Sequence, residues 1–443
     1  MANHPRIAVW LIVFAGCLLA AVLFLIPVLF NADRYRPEVI SYFEENTGKK
    51  VEIEHLALTF FPKVAVHIDG FRVKSPPLFP PSYIVKIAQA DVVLDFWALL
   101  HRKVVVRSLV MEEPEINLVS DPDGPWNFEN PQLKNSKNTF PLGIIDKVVI
   151  ERGQLVASNL LPSDAAGPVF LEAHDITSEL DRVDLAAIIN PASSSLNGQG
   201  NWKANRLRFG AVETTNVSSK FRLESREVFF TDLKADAYSG KATGDFSVSL
   251  AKKNASFKAD ARMSGINMTH LLAAFREARE RMTGKLEGEL KLAGEIEHTM
   301  SPLAGMHGTG HVKVTNGRVP TLMLNSNLMK LMHFNDLGPA KENPSSFSSI
   351  STDLELANLR ITSKVIDIDG YGVDVDGSGS VSVSGSDELS YQGVAEITTK
   401  QGFLTNTFAR FAGAKLKDGK LSFPFRIGGT IENPKFSKGT KNK

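Results

Sequence analysis

Twenty-four consecutive residues without a charge, Ile7 to Phe30, constrain this chain more than any other feature. As a helix rising ~1.5 Å per residue they would reach ~36 Å, enough to cross a hydrocarbon core of ~30 Å with some tilt. Charge resumes at Asp33 and Arg34, and no second run of this kind follows. The expectation is therefore one membrane span and a long polar body lying on one side of it. A cleaved signal peptide would carry a shorter apolar region and a small-residue cleavage site, whereas this run ends in Leu25-Ile26-Pro27-Val28-Leu29-Phe30. Phe14-Ala15-Gly16-Cys17 has the outline of a lipoprotein box, but Phe14 is bulky and thirteen apolar residues still follow Cys17. Positive charge alone would keep the body in the cytoplasm, since Arg6 precedes the run and Arg34, Arg36, Lys49 and Lys50 follow it, but long translocated domains often override that rule.

The body itself lacks the signatures of several function classes. Among 443 residues, 50 Lys and Arg balance 49 Asp and Glu, so the basic field of a nucleic-acid binder is missing. Cys17 is the single cysteine, which excludes a disulfide framework or a cysteine-built zinc site. A hydrophobic fraction of 43% can bury a sizeable core, and 33 glycines point to strands and turns rather than a helical bundle.

Alternation dominates after residue 50. Asp33–Gly48 reads as a short helix, with Pro37 near its start and Gly48 as its stop. Apolar residues then recur at every second position: Val51 and Ile53, then Leu56, Leu58 and Phe60, then Val64, Val66 and Ile68. Further strands are expected at Ile84–Ile87, Val92–Phe96, Val104–Val110 and Glu115–Val119. Residues 121–143 read as a turn and an exposed loop, and 144–250 as short strands interrupted by a loop at Ser193–Gly200. Thr269–Met282 has one apolar face and is expected to be a helix, as are Pro320–Phe334 and Gly402–Phe411. His311–Val314, Leu354–Ile361 and Leu421–Ile427 are expected strands, and Ile366 to Val383 holds the clearest period of two. Strands separated by turn-length breaks predict a mainly β fold, a meandering antiparallel sheet with a few short helices behind the transmembrane helix. The divisions expected are a flank at 1–6, the anchor at 7–30, β regions at 31–143, 144–265 and 266–434, and a basic tail at 435–443.

Catalytic templates fail in turn. His-Glu-x-x-His, Walker A, Gly-x-Gly-x-x-Gly and Gly-x-Ser-x-Gly are all missing. Ser239-Gly240-Lys241 hints at a phosphate loop but has Ala235 and Ala242 where Gly and Ser or Thr belong. Asp367, Asp369, Asp374 and Asp376 suggest a calcium loop, yet its twelfth position would be Gly385 instead of Glu. Alternation explains these acids as the solvated face of strands. No catalytic residue, metal site or cofactor is expected.

Several blocks resemble the AsmA-like proteins of Gram-negative envelopes. They are the apolar run followed by Asn46-Thr47-Gly48-Lys49-Lys50-Val51-Glu52-Ile53 and Phe61-Pro62, then Leu94-Asp95-Phe96-Trp97-Ala98-Leu99-Leu100, and Asp123-Gly124-Pro125-Trp126-Asn127-Phe128. Later come Gly308–Val319, Ser386–Gly393 and Phe423–Pro434, while 150–265 carries no matching motif. The resemblance implies a single-pass inner-membrane anchor, a periplasmic body and an elongated, twisted β-groove of the bridge-like lipid-transfer type. It also implies phospholipid as cargo, a protein partner in the periplasm or outer membrane, and a part in outer-membrane biogenesis. Alternation alone nominates Ile53, Leu58, Phe60, Val64, Val66, Ile68, Val92, Leu94 and Phe96 as groove lining; ordinary core against another layer would produce the same pattern. The expected function is non-enzymatic lipid transfer. The alternative is a scaffold for outer-membrane proteins that captures strands at its sheet edges.

Overall fold

The computed structural model describes residues 31–439, apart from 61, 102, 122–125, 129–143, 161–165, 185–195, 226, 250–254, 276–280, 297–304, 333–344, 385 and 399–413. The expected span at Ile7–Phe30 and the expected helix at Gly402–Phe411 both lie outside these residues. Among those described, no helix is long and apolar enough to cross a membrane. The chain forms two compact units, Met1–Gly210 with Val217–Val228, and Ala211–Asn216 with Phe229–Lys443. Both are built chiefly from β-sheet.

The first unit opens with a 3₁₀ turn, Ala32–Tyr35, and helix α1, Arg36–Thr47. Pro37 starts α1, and Gly48 stops it at φ 62°, its N–H donating to the Glu44 carbonyl at 2.8 Å. The strands are β1 (Val51–Glu52), β2 (His55–Thr59), β3 (Ala65–Lys74), β4 (Tyr83–Leu94), β5 (Val106–Glu112), β6 (Glu115–Ser120), β7 (Ile144–Leu160), β8 (Ala166–Asp184) and β9 (Leu196–Phe209). Strand β3 takes β1 and β2 end to end on one side and β4 on the other. In the same way β5 and β6 lie end to end along β4. Both then pair with β7 in parallel, while β7–β8 and β8–β9 are antiparallel. The sheet is therefore mixed rather than wholly antiparallel. The 23-residue connection from Ser120 to Ile144 is long enough for the crossover that a parallel pair needs.

Two further expectations fail here for local reasons. Phe96 does not continue β4; it begins a short helix, α2 (Phe96–Leu100), because Asp95 accepts the Ala98 N–H at 2.7 Å as its N-cap. The expected loop at Ser193–Gly200 is strand from Leu196 onward, with Gly200 opposite Leu180.

Strand β10 (Val212–Ser225) is divided between the units. The second unit continues with β11 (Glu227–Ala237), β12 (Gly240–Ser249), β13 (Ala255–Asn267), α3 (Met268–Ala273), β14 (Thr283–Ile296), β15 (His307–Arg318) and α4 (Leu324–Leu331). Then come β16 (Ser346–Ala357), β17 (Arg360–Gly370), β18 (Val373–Ser382), β19 (Leu389–Thr398), β20 (Lys415–Lys417), β21 (Lys420–Gly429) and β22 (Pro434–Lys438). From β12 to β19 each strand pairs antiparallel with the next. Strand β21 then joins β19 on one side, with β20 and β22 on the other. The expected strand Leu354–Ile361 is in fact a hairpin, because Asn358 and Leu359 turn the chain at φ 52° and 55°. Helices α3 and α4 are shorter than expected. Lys435 and Lys438 belong to β22 instead of a tail.

Candidate functional site

Register in the first unit builds its apolar face row by row. Leu58, Val66, Val92, Leu109, Val148 and Leu180 are successive cross-strand partners from β2 to β8. Beside them run Leu56, Ile68, Ala90, Met111 and Ile150. Neighbouring residues across a sheet share a face, so each row is a continuous apolar stripe. Past these rows the alternation reverses. Gly70 in β3 (φ 63°), Glu113 between β5 and β6 (φ 50°), Arg152 in β7 (φ 54°) and Asp175 in β8 (φ 52°) stand in left-handed backbone. A single such residue shifts the pleat by one position. The row Val51–Val73–Val85–Ile116–Leu155–Ala173–Leu207 thereby returns to the same side despite its opposite parity.

Helix α1 covers part of this face. Val39, Ile40 and Phe43 pack in one cluster with Val51, Ile53, Leu56, Val66, Ile68, Phe71 and Val73. The Phe43 and Phe71 rings meet edge to face, with centroids 5.6 Å apart. Of the nine nominated groove residues, Ile53, Val66 and Ile68 thus belong to a helix-packed core. Val92 and Leu94 instead join Val106, Leu109, Met111, Ile145, Val148, Leu180 and Val183, a cluster supplied wholly by strands among the described residues. Val64 is buried, and Leu58 and Phe60 are half-buried. Phe96 departs from the face altogether and is 47% exposed. The alternation in β2–β4 missed Leu109, which antiparallel pairing sets beside Val92, and Val148 and Leu180, which lie beyond the parallel junction of β5 with β7.

The second unit repeats the design with different residues. Ile266, Leu286, Val314, Ile350, Ile368, Val375, Ala395 and Phe423 form one row across eight strands. Leu324, Leu328, Met329 and Met332, from α4 and its end, bury themselves against this row, and Met268 and Leu271 of α3 pack beside them. Farther along the strands lie Ala261, Leu290, Gly310, Leu354, Ser363, Gly379, Tyr391 and Ile427. Next comes Phe246–Ala259–Leu292–Gly308–Leu356–Ile361–Val381–Leu389. A Cβ at Gly308 would stand 2.1 Å from the Lys291 carbonyl oxygen, and one at Gly310 2.5 Å from that of Glu289. Strands approach too closely there for any side chain, and glycine is what lets the sheet coil.

The opposite face carries the charge. His67 lies 2.6 Å from Asp91 and 3.1 Å from Asp69, and its hydrogen bond to Asp91, with the nearby negative charge, raises its pKa against a smaller opposing cost of burial. In the second unit Asp369 stands opposite Asp374 and Asp367 opposite Asp376. Lys420 bridges Asp374 at 2.9 Å and Glu396 at 3.8 Å. Among the described residues no group of three or more His, Cys, Asp or Glu is placed to hold a metal. Tyr238 and Ser239, at φ 46° and 67°, turn the chain into β12, so Ser239-Gly240-Lys241 is a turn residue and the start of a strand, not a phosphate loop.

The sequence blocks singled out earlier prove to be clamps. Asn127 is fully buried: its side chain accepts the Val119 N–H at 3.1 Å and donates to the Asn117 carbonyl at 2.9 Å. Lys49, just beyond α1, donates to the Asn127 carbonyl at 2.9 Å, and burial lowers its pKa. Arg107 bridges Asp95 and Asp146, and the Ala98 N–H together with Arg107 holds the Asp95 carboxyl below its usual pKa. Arg281 reaches Asp387 at 3.0 Å and Glu432 at 3.6 Å, joining the 386–393 and 423–434 blocks.

Comparison with known families places these features. Residues 4–160 match the AsmA family. The stretch similar to that family holds the apolar run, α1, the strands up to β7 and the 94–100 and 123–128 blocks. No curated protein matches the chain.

Proposed function

We propose that this AsmA-like chain is a non-enzymatic lipid-binding and transfer protein of the bacterial envelope. In this reading residues 7–30 anchor it in the inner membrane, the body lies in the periplasm, and phospholipid or a related glycolipid moves over its apolar faces towards the outer membrane. The observation that carries the reading is the part of the row from Val92 to Leu180, which lies within a cluster made of strands alone. Such a face holds acyl chains without specific polar contacts, at ~0.8 kcal/mol per buried CH₂. Helices α1 and α4 occupy the apolar face where they pack, so the cargo belongs on the strand-only stretches.

The test is extraction of the gently purified full chain followed by mass spectrometry of its lipid. Stoichiometric phospholipid is expected in the wild type and is lost in Leu109→Asp with Leu180→Asp, with circular dichroism unchanged. A folded, lipid-free wild type that takes up no fluorescent lipid would overturn the reading. A polypeptide crosslinked to the sheet edges would then favour the scaffold.

A further inference from the structure

The tip between β4 and β5 is apolar where it meets solvent. Phe96 is 47% exposed, Trp97 70%, Leu100 60% and Val104 60%. An aromatic and aliphatic group of this kind on one short turn exceeds the scattered exposure of an ordinary surface. The tip is also held rigidly. Asp95 caps α2 and is tied to Arg107, the Asp95 N–H donates to the Val105 carbonyl at 2.9 Å, and the Lys103 N–H donates to the Ala98 carbonyl at 2.9 Å. The fold therefore fixes these side chains outward. Cationic Lys103 sits beside them, and His101 is fastened to the Trp97 carbonyl at 2.8 Å.

Position supplies the occupant. The tip grows directly from Leu94, and Val106 lies just beyond it, so it continues the end of the strand-only face. The uncharged run ends at Phe30, and Asp33 is pinned to β2 by the Leu56 N–H at 3.1 Å. From Leu56 to the end of β2 and across two strands to β4 is on the order of 15 Å. The tip therefore lies close to where the 24-residue uncharged stretch enters the unit. Trp beside Lys on an apolar turn suits the boundary between headgroups and acyl chains.

We infer that this tip, through Phe96, Trp97, Leu100 and Val104, inserts shallowly into the outer leaflet of the bilayer that anchors the chain, placing the mouth of the apolar face against the lipid. The inference rests on the membrane-anchor reading above.

The test uses the full chain with Cys17→Ala, reconstituted in phosphatidylethanolamine and phosphatidylglycerol vesicles with or without brominated acyl chains. An environment-sensitive fluorophore is placed on Leu100→Cys or, as a control on the charged face, on Glu179→Cys. Flotation reads the anchor and quenching reads the tip. The expected result is a blue-shifted Leu100→Cys probe that loses most of its emission to brominated lipid, while Glu179→Cys changes little. A chain that floats with both probes equally unquenched overturns the insertion and leaves the anchor standing. A chain that does not float overturns the anchor reading and the insertion with it.

Discussion

The two units solve one problem with different materials. Both keep a single apolar face over many strands and cover part of it with a helix. In the first unit the face is mostly Val, Leu and Ile, and left-handed residues at Gly70, Glu113, Arg152 and Asp175 accompany its change of parity. In the second the strands from β12 to β19 meander antiparallel, and glycines such as Gly308 and Gly310 stand inside the apolar rows. The covers differ too. Helix α1 packs half-buried groups against its face, whereas Leu328 of α4 is 0% exposed. The lesson is that period two specifies a face but not what lies on it. A helix, a coil in the sheet or a lipid each suits the same alternation.

The largest effect should come from the cover of the second unit. Leu328→Ala empties a closed site and should cost about 2–5 kcal/mol, read as a lowered denaturation midpoint. The same truncation at half-buried Val39 on α1 should cost less. Equal losses would break the contrast between the two covers. Next is the glycine row. Gly308→Val forces a side chain against the Lys291 backbone and should cost about 1–3 kcal/mol, while Leu109→Val in the first unit should cost less than that.

The left-handed residues give a finer test. Asp175→Val places a β-branched side chain at φ 52° and should cost about 1–2 kcal/mol, whereas Asp175→Gly should stay within about 0.5 kcal/mol of wild type. Equal melts would show that left-handed backbone does not matter there. The smallest effect is electrostatic. Because the folded His67 pKa is raised, its contribution is complete below the unfolded value of about 6.5 and fades as pH rises through the folded value. Asp91→Asn should therefore destabilise more at pH 5.5 than at pH 8.5, by no more than about 1 kcal/mol for so exposed a pair. A loss that grows with pH would contradict the assignment.

Much of the fold was legible in the residues, and the failures are instructive. Pro37 and Gly48 bracket α1 in the sequence as they do in space. The parity jump from Ile53 to Leu56 already records the switch at the left-handed residues. Alternation misled where it ran past a boundary: Val92, Leu94 and Phe96 read as one strand although Asp95 is an N-cap, and Leu354 to Ile361 read through a turn. Small polar residues misled at Leu196–Gly200, because a Cβ at Gly200 would lie 2.0 Å from the Glu179 carbonyl oxygen, and the ladder itself requires glycine there. The pairing of β5 and β6 with β7 depends on a register set 23 residues away in the chain, which no local pattern carries. For the same reason alternation found Val92 and Leu94 but neither Val148 nor Leu180. Nor did it reveal that α1 packs with Ile53, Val66 and Ile68.

The most direct measurement is site-specific photocrosslinking in cells, with benzoylphenylalanine at Leu109 on the strand-only face or at Phe71 beneath α1. Lipid adducts identified by mass spectrometry at Leu109, and none at Phe71, are the result this account predicts. Adducts at neither position, or equally at both, would contradict it.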